Sequence, residues 1–154
     1  MINLLLAGLC IMGLQATPEE IIAEDKSPSM SYVCEFNQKE IELMVRVTMS
    51  EASTQTMECK EAVATTILNR YYSPKFSGDI ATIIDGQFST QDNGVPNDDC
   101  YTAVSNAIKY WGTPDQVIPW CCYYFRGYYF HEWAQDYRKI DNLYFSLPRD
   151  AVID

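Results

Sequence analysis

The sequence predicts an α+β fold, mostly helical, with a small antiparallel sheet in its C-terminal half. Three observations predict it. Residues 41–70 place apolar side chains at helical spacing in two successive runs, and a third helix-sized segment lies between Asn97 and Gly112 with its own start and stop signals. The β-branched and aromatic residues then gather after Val117. At 154 residues, 47% of them hydrophobic, the chain can bury one real core, and nothing in its composition asks for a second.

The elements follow in order. Residues 1–16 carry no charge and an apolar stretch at 4–14. That stretch is shorter than the roughly 20 residues a bilayer-crossing helix takes, so no stable membrane span is expected. It suits the centre of a secretory signal, which makes the expected location secreted or cell envelope, with a buried first helix as the other reading. Leu9, before Cys10, is not the small residue that lipid attachment wants. Residues 17–31 are polar, acidic and interrupted by Pro18 and Pro28, and read as a flexible linker. The folded domain is expected over 32–154.

Asn37 followed three residues later by Glu40 is a helix-starting pair. Ile41, Met44, Val45 and Thr48 then share one helical face, and Glu51 leaves the core at the last turn. Ala62, Val63, Thr66 and Ile67 mark the second helix, which must stop near Pro74 because proline has no amide hydrogen to donate. Residues 80–84 form a short apolar element closed by Gly86, and Asn93-Gly94 signals a turn in the polar stretch that follows. Asn97 caps a helix over 98–111 that Gly112 and Pro114 end. Residues 117–125 are the best strand, with Cys121 and Cys122 on opposite faces of it. Arg126-Gly127 reads as a turn, 128–133 as a second aromatic run, and 143–147 as a closing strand paired with the first.

Composition excludes several functions. A formal charge of −10 opposes binding to nucleic acid, whose affinity rests on cations meeting phosphate. With one histidine and no two cysteines at zinc-knuckle spacing, a metal-dependent amidase or peptidase is not expected, and no cofactor is implied. Of six cysteines, five remain if residues 1–16 are removed, so two disulfides could form in an oxidising compartment. Cys59 with Cys100 is the expected pair, and buried free thiols are the alternative.

Glu51 can be argued from chemistry alone. Breaking a glycosidic bond needs a proton delivered to the leaving oxygen, and a glutamate in a partly apolar pocket can hold that proton near neutral pH, as in lysozyme. Val47, Met49 and Ala52 make such a pocket credible. Gln87 and Ser89 flank Phe88 in a loop, where an amide and a hydroxyl could bond the hydroxyl and acetamido groups of an amino sugar. The aromatic residues of the C-terminal half fit sugar stacking and an aromatic core equally.

Taken together, Glu51-Ala52, the helix end Ile67-Leu68-Asn69-Arg70, the segment from Ser73 to Phe76 and Gln87-Phe88-Ser89 form an ordered series. The series resembles the cell wall hydrolases related to spore-cortex-lytic enzymes, the SleB type, over residues 40–145. The resemblance implies a lysozyme-like fold and cleavage of peptidoglycan glycan strands by a lytic transglycosylase with one essential glutamate, Glu51. It also implies substrate contacts from Gln87 and Ser89, and from Tyr124 and Trp133, which match an aromatic strand followed by a tryptophan. One departure stands out: Leu143 occupies the place where the family carries a histidine, a role that His131 could take over. Two other readings remain, a cysteine-dependent peptidoglycan peptidase using Cys121 or Cys122 with His131, and a wall-binding module without activity.

Overall fold

The structure, a computed structural model, describes residues 36–88 and 95–153. The predicted signal segment, the linker and Ser89 lie outside them. Among the described residues, four helices precede a three-stranded sheet: α1 (Gln38–Ala52), α2 (Met57–Tyr72), α3 (Ile80–Ile84), α4 (Asp98–Tyr110), then β1 (Tyr124–Gly127), β2 (Gln135–Ile140) and β3 (Leu143–Leu147). The α+β arrangement is therefore the one expected.

α1 begins where its capping pair puts it. The Asn37 side chain accepts from the amides of Lys39 (3.0 Å) and Glu40 (3.2 Å), and Glu40 reaches back to the Asn37 amide at 2.9 Å. Met44, Val45, Val47, Thr48 and Ala52 form its buried face.

α2 is the centre of the molecule. Every residue from Ala62 to Arg70 is buried, polar ones included, because α1, α3 and α4 all pack against it. A helix enclosed on all sides cannot leave a polar group unpaired, and its last turn shows how the pairing is done. Asn69 donates to the carbonyls of Pro119 and Cys122, both at 2.9 Å, and accepts from the Trp111 indole at 2.9 Å. Arg70 Nε donates to the Tyr123 carbonyl at 2.8 Å.

Those bonds correct the strand expected at 117–125. The chain turns at 119–122 instead, the Cys122 amide donating to the Pro119 carbonyl at 2.9 Å while Asn69 and Arg70 bond the carbonyls of Pro119, Cys122 and Tyr123, and β1 starts only at Tyr124. Cys121 and Cys122 consequently lie ahead of the strand, and both are buried. Arg126 and Gly127 belong to β1, and the chain turns just beyond, at Tyr128. The expected pairing of the closing strand holds: β3 runs antiparallel to β1 with Phe125 opposite Phe145. β2, which was not expected, lies on the other side of β3, giving the order β1-β3-β2. Of its six residues only Ile140 is buried, and a bulge between Asp136 and Arg138 breaks its alternation, so no hydrophobic period announces it. The Asp141-Asn142 turn that follows was the available signal, a polar pair of the kind that closes two-residue hairpins.

The tip of that hairpin is tied to the corner between α1 and α2. Asp141, at φ 49°, accepts from the Thr56 amide (2.8 Å) and hydroxyl (2.5 Å), and Gln55 accepts from the Asn142 amide at 3.4 Å. The Thr56 hydroxyl bond, then the amide bond, holds the Asp141 carboxyl below its ordinary value. A carboxylate whose pKa is depressed by folding contributes stability above its unfolded pKa, and that contribution disappears as pH falls through the folded value. Asp141→Asn is thus expected to lower the melting temperature by a few degrees at pH 7 and to flatten its fall on acidification below pH ~4. Thermal melts across that range check it; parallel wild-type and variant curves would count against the latch.

The Cys59–Cys100 disulfide expected from sequence is absent. Cys59, Cys100, Cys121 and Cys122 are all free and buried. The Cys59 thiol faces the Ile140 carbonyl at 3.6 Å, and Cys100 faces the Met49 sulfur at 3.8 Å, so each is spent on a different neighbour.

Candidate active site

Glu51 stands in the last turn of α1, half-buried, three residues after the buried Thr48 and four after the buried Val47. Its helix end is fixed by Ala52, which lies in the core and whose carbonyl accepts from the Gln55 amide at 3.1 Å. The hairpin tip then holds the next two residues of the corner. The carboxyl is therefore carried on rigid backbone, as a proton donor needs to be.

Of the other predicted residues, Gln87 and Tyr124 meet at Arg70, which the sequence marks only as the end of a helix motif. Arg70, 7% exposed, lies against the rings of Phe88 (4.6 Å), Phe76 (5.3 Å) and Tyr124 (5.9 Å). Its Nη1 reaches the Gln87 amide oxygen at 3.5 Å, which leaves that amide's N–H groups as the donors available to a ligand. Burial lowers its pKa, with the Tyr124 hydroxyl opposing the shift, and it stays charged because arginine titrates so far above neutrality. Gly86, at φ 64°, makes the turn that brings Gln87 and Phe88 off α3, and Phe88 anchors the loop against Phe125 at 5.9 Å.

Trp133 joins the same cluster through Tyr124, ring to ring at 4.8 Å and nearly perpendicular. It is 55% exposed, and Arg149 steadies the loop beneath it by donating to the carbonyls of Trp133 (3.1 Å) and Glu132 (2.6 Å). His131 lies 4.6 Å from Trp133 and 6.3 Å from Tyr124, ring centre to ring centre. Burial pushes its pKa down, opposed by a hydrogen bond with the Phe125 backbone and reinforced by the charges of Arg126 and Arg70, which favours the neutral imidazole. Leu143 is buried on the core side, opposite Gly127 and Ile140. Gln87 and Tyr124 thus contact Arg70 and Trp133 joins them through Tyr124, whereas Glu51 comes from α1, which packs on α2, α4 and α3.

Neither Cys121 nor Cys122 has the surroundings of a nucleophile. The Cys122 thiol donates to the Ser146 carbonyl at 3.5 Å, and burial pushes it up to about 12; burial raises Cys121 too. A reactive cysteine needs the opposite shift. Iodoacetamide at pH 8 is expected to leave Cys59, Cys100, Cys121 and Cys122 unlabelled in the native protein and to label all of them in guanidinium, as read by peptide mass mapping. Native labelling of Cys121 or Cys122 with loss of activity would revive the peptidase reading.

Comparison with known proteins gives the class first. The fold matches the crystal structure of the catalytic domain of the Bacillus cereus SleB protein, with a TM-score of 0.60 and 24% identity over 72% of this chain and 91% of that one. It also matches the catalytic domain of the germination-specific lytic transglycosylase SleB from Bacillus anthracis, with a TM-score of 0.61 and 23% identity over 73% of this chain and 98% of that one. The sequence profile described as cell wall hydrolase matches residues 54–146, and the chain belongs to that family of enzymes. Curated protein sequences give no significant match.

Proposed function

We propose that the chain is a lytic transglycosylase that cuts the glycan strand of peptidoglycan at the bond between N-acetylmuramic acid and N-acetylglucosamine. The observation that carries this reading is the half-buried Glu51 at the end of α1, on a corner clamped by Asp141, in a chain of the cell wall hydrolase family. Protonated Glu51 gives its proton to the glycosidic oxygen as the C1–O bond breaks and positive charge develops on the muramyl ring. The resulting carboxylate then takes the proton of the same sugar's C6 hydroxyl while that oxygen bonds to C1. A 1,6-anhydro ring forms, the carboxyl is regenerated, and neither water nor a second carboxylate enters the balance.

Gln87, Tyr124 and Trp133 are assigned to the sugar, the amide through its N–H groups and the rings through stacking on C–H faces. Ser89 is assigned a hydroxyl contact in the same loop. The substrate is extracytoplasmic, which fits an envelope or secreted location; among the described residues no helix is long and apolar enough to cross a membrane. Digests of purified peptidoglycan, separated and weighed by mass spectrometry, test the chemistry. Anhydromuramic ends support it. Reducing muramic ends would make the enzyme a hydrolase using water instead.

A further inference from the structure

Beyond Trp133, the end of β1 displays two more aromatic side chains. Tyr128 is 91% exposed at φ 76°, a left-handed conformation that bulky residues seldom adopt. The Tyr129 amide closes the turn on the Gly127 carbonyl at 3.1 Å. The Tyr129 ring, 51% exposed, is held by Arg126: the guanidinium lies 3.9 Å from the ring centre, and Nη2 donates to the phenolic oxygen at 2.8 Å. A tyrosine pinned by its own neighbour loses little freedom when a ligand covers it.

This pair follows directly on β1, the strand that carries Tyr124. Arg126 and Tyr124 are two apart on β1 and so stand on the same side of the sheet. Tyr124 leads to Trp133, and His131 lies beside both rings. Arg126 covers one face of the Tyr129 ring and bonds its hydroxyl, so the surface offers the Tyr128 ring and the opposite face of Tyr129, in a chain of net charge −10. That is chemistry for an uncharged pyranose face, not for an acidic polymer.

We propose that Tyr128 and Tyr129 form a further saccharide subsite, which takes a sugar of the same glycan strand beyond the unit at Trp133. The inference rests on the proposed function. It is tested by co-sedimentation with purified peptidoglycan in the Glu51→Gln background, where turnover is removed. The double variant Tyr128→Ala with Tyr129→Ala, which removes both rings of the subsite, is expected to bind about fivefold more weakly, within the scale of aromatic stacking. Tyr129→Phe, which keeps the ring, restores most of the binding. Because both side chains reach into water, the melting temperature stays at the parent's value. Equal binding by the double variant and its parent overturns the subsite alone. A parent that fails to bind, together with a wild type that fails to cleave, overturns the proposed function and the subsite with it. Loss of a dimer on the double substitution, seen by sedimentation velocity, would instead make the surface a contact between copies and also overturn the subsite.

Discussion

Replacing Glu51 with glutamine is expected to lower the rate of glycan cleavage by about 10³-fold, within the range that a positioned proton donor and acceptor supplies. Glutamine matches the side chain in size and has nearly the same helix propensity, so the last turn of α1 keeps its shape. What it cannot do is give up a proton to the leaving oxygen or receive one from the C6 hydroxyl. Both half-reactions fail together, and the loss falls on kcat, not on KM. Anhydromuramic product measured against time, with a thermal melt of the same preparation, is the check. A variant that melts like wild type and still releases product at near wild-type rate would end the assignment.

Replacing Arg70 with alanine is expected to have the largest effect on stability, a loss of about 3 kcal/mol or more. Three consequences add. The Tyr123 carbonyl loses its donor in a buried place, the rings of Phe76, Phe88 and Tyr124 close on a void, and Gln87 loses the contact that sets its amide. The melting temperature should fall by roughly 10 °C. Arg70→Lys is the discriminating variant. Lysine keeps the charge without the flat fork that can bond Tyr123 and Gln87 while lying against rings, so it should recover only part of the loss. Denaturant unfolding measures both. An alanine variant within about 0.5 kcal/mol of wild type, the range of an ordinary surface change, would show that the site does not depend on this guanidinium.

The helices were legible because each is specified by local chemistry. Asn37 with Glu40, Asn97 ahead of α4, and Gly86 beyond α3 announce boundaries within a few residues of chain, and the structure places them there. The sheet was harder because its limits are set from a distance. Residues 119–123 have the composition of a strand, but Asn69 and Arg70, some fifty positions earlier, take the carbonyls a partner strand would need. No reading of the segment by itself reveals that. β2 fails for the opposite reason, since it is an edge with one buried residue.

The candidate site divides in the same way. Gln87, Tyr124 and Trp133 were named from an ordered resemblance, and they are neighbours in space. Arg70, which joins them, was passed over because a charged residue at a helix end ordinarily faces water. The available hint is its place after the uncharged stretch 62–69 of α2, which leaves no face marked for solvent.

The position of β3 has a consequence for how the protein is made. It is the central strand, yet it is the last of the three to be synthesised. Until Leu147 has left the ribosome, β1 and β2 have no partner, and the hairpin that bears Asp141 cannot close on Thr56. The helical part can gather first, since α1, α2 and α4 are complete by Tyr110. The acid-bearing corner nevertheless acquires its brace only once β3 has emerged, so a nascent chain that has not reached Leu147 holds Glu51 on an unsupported corner.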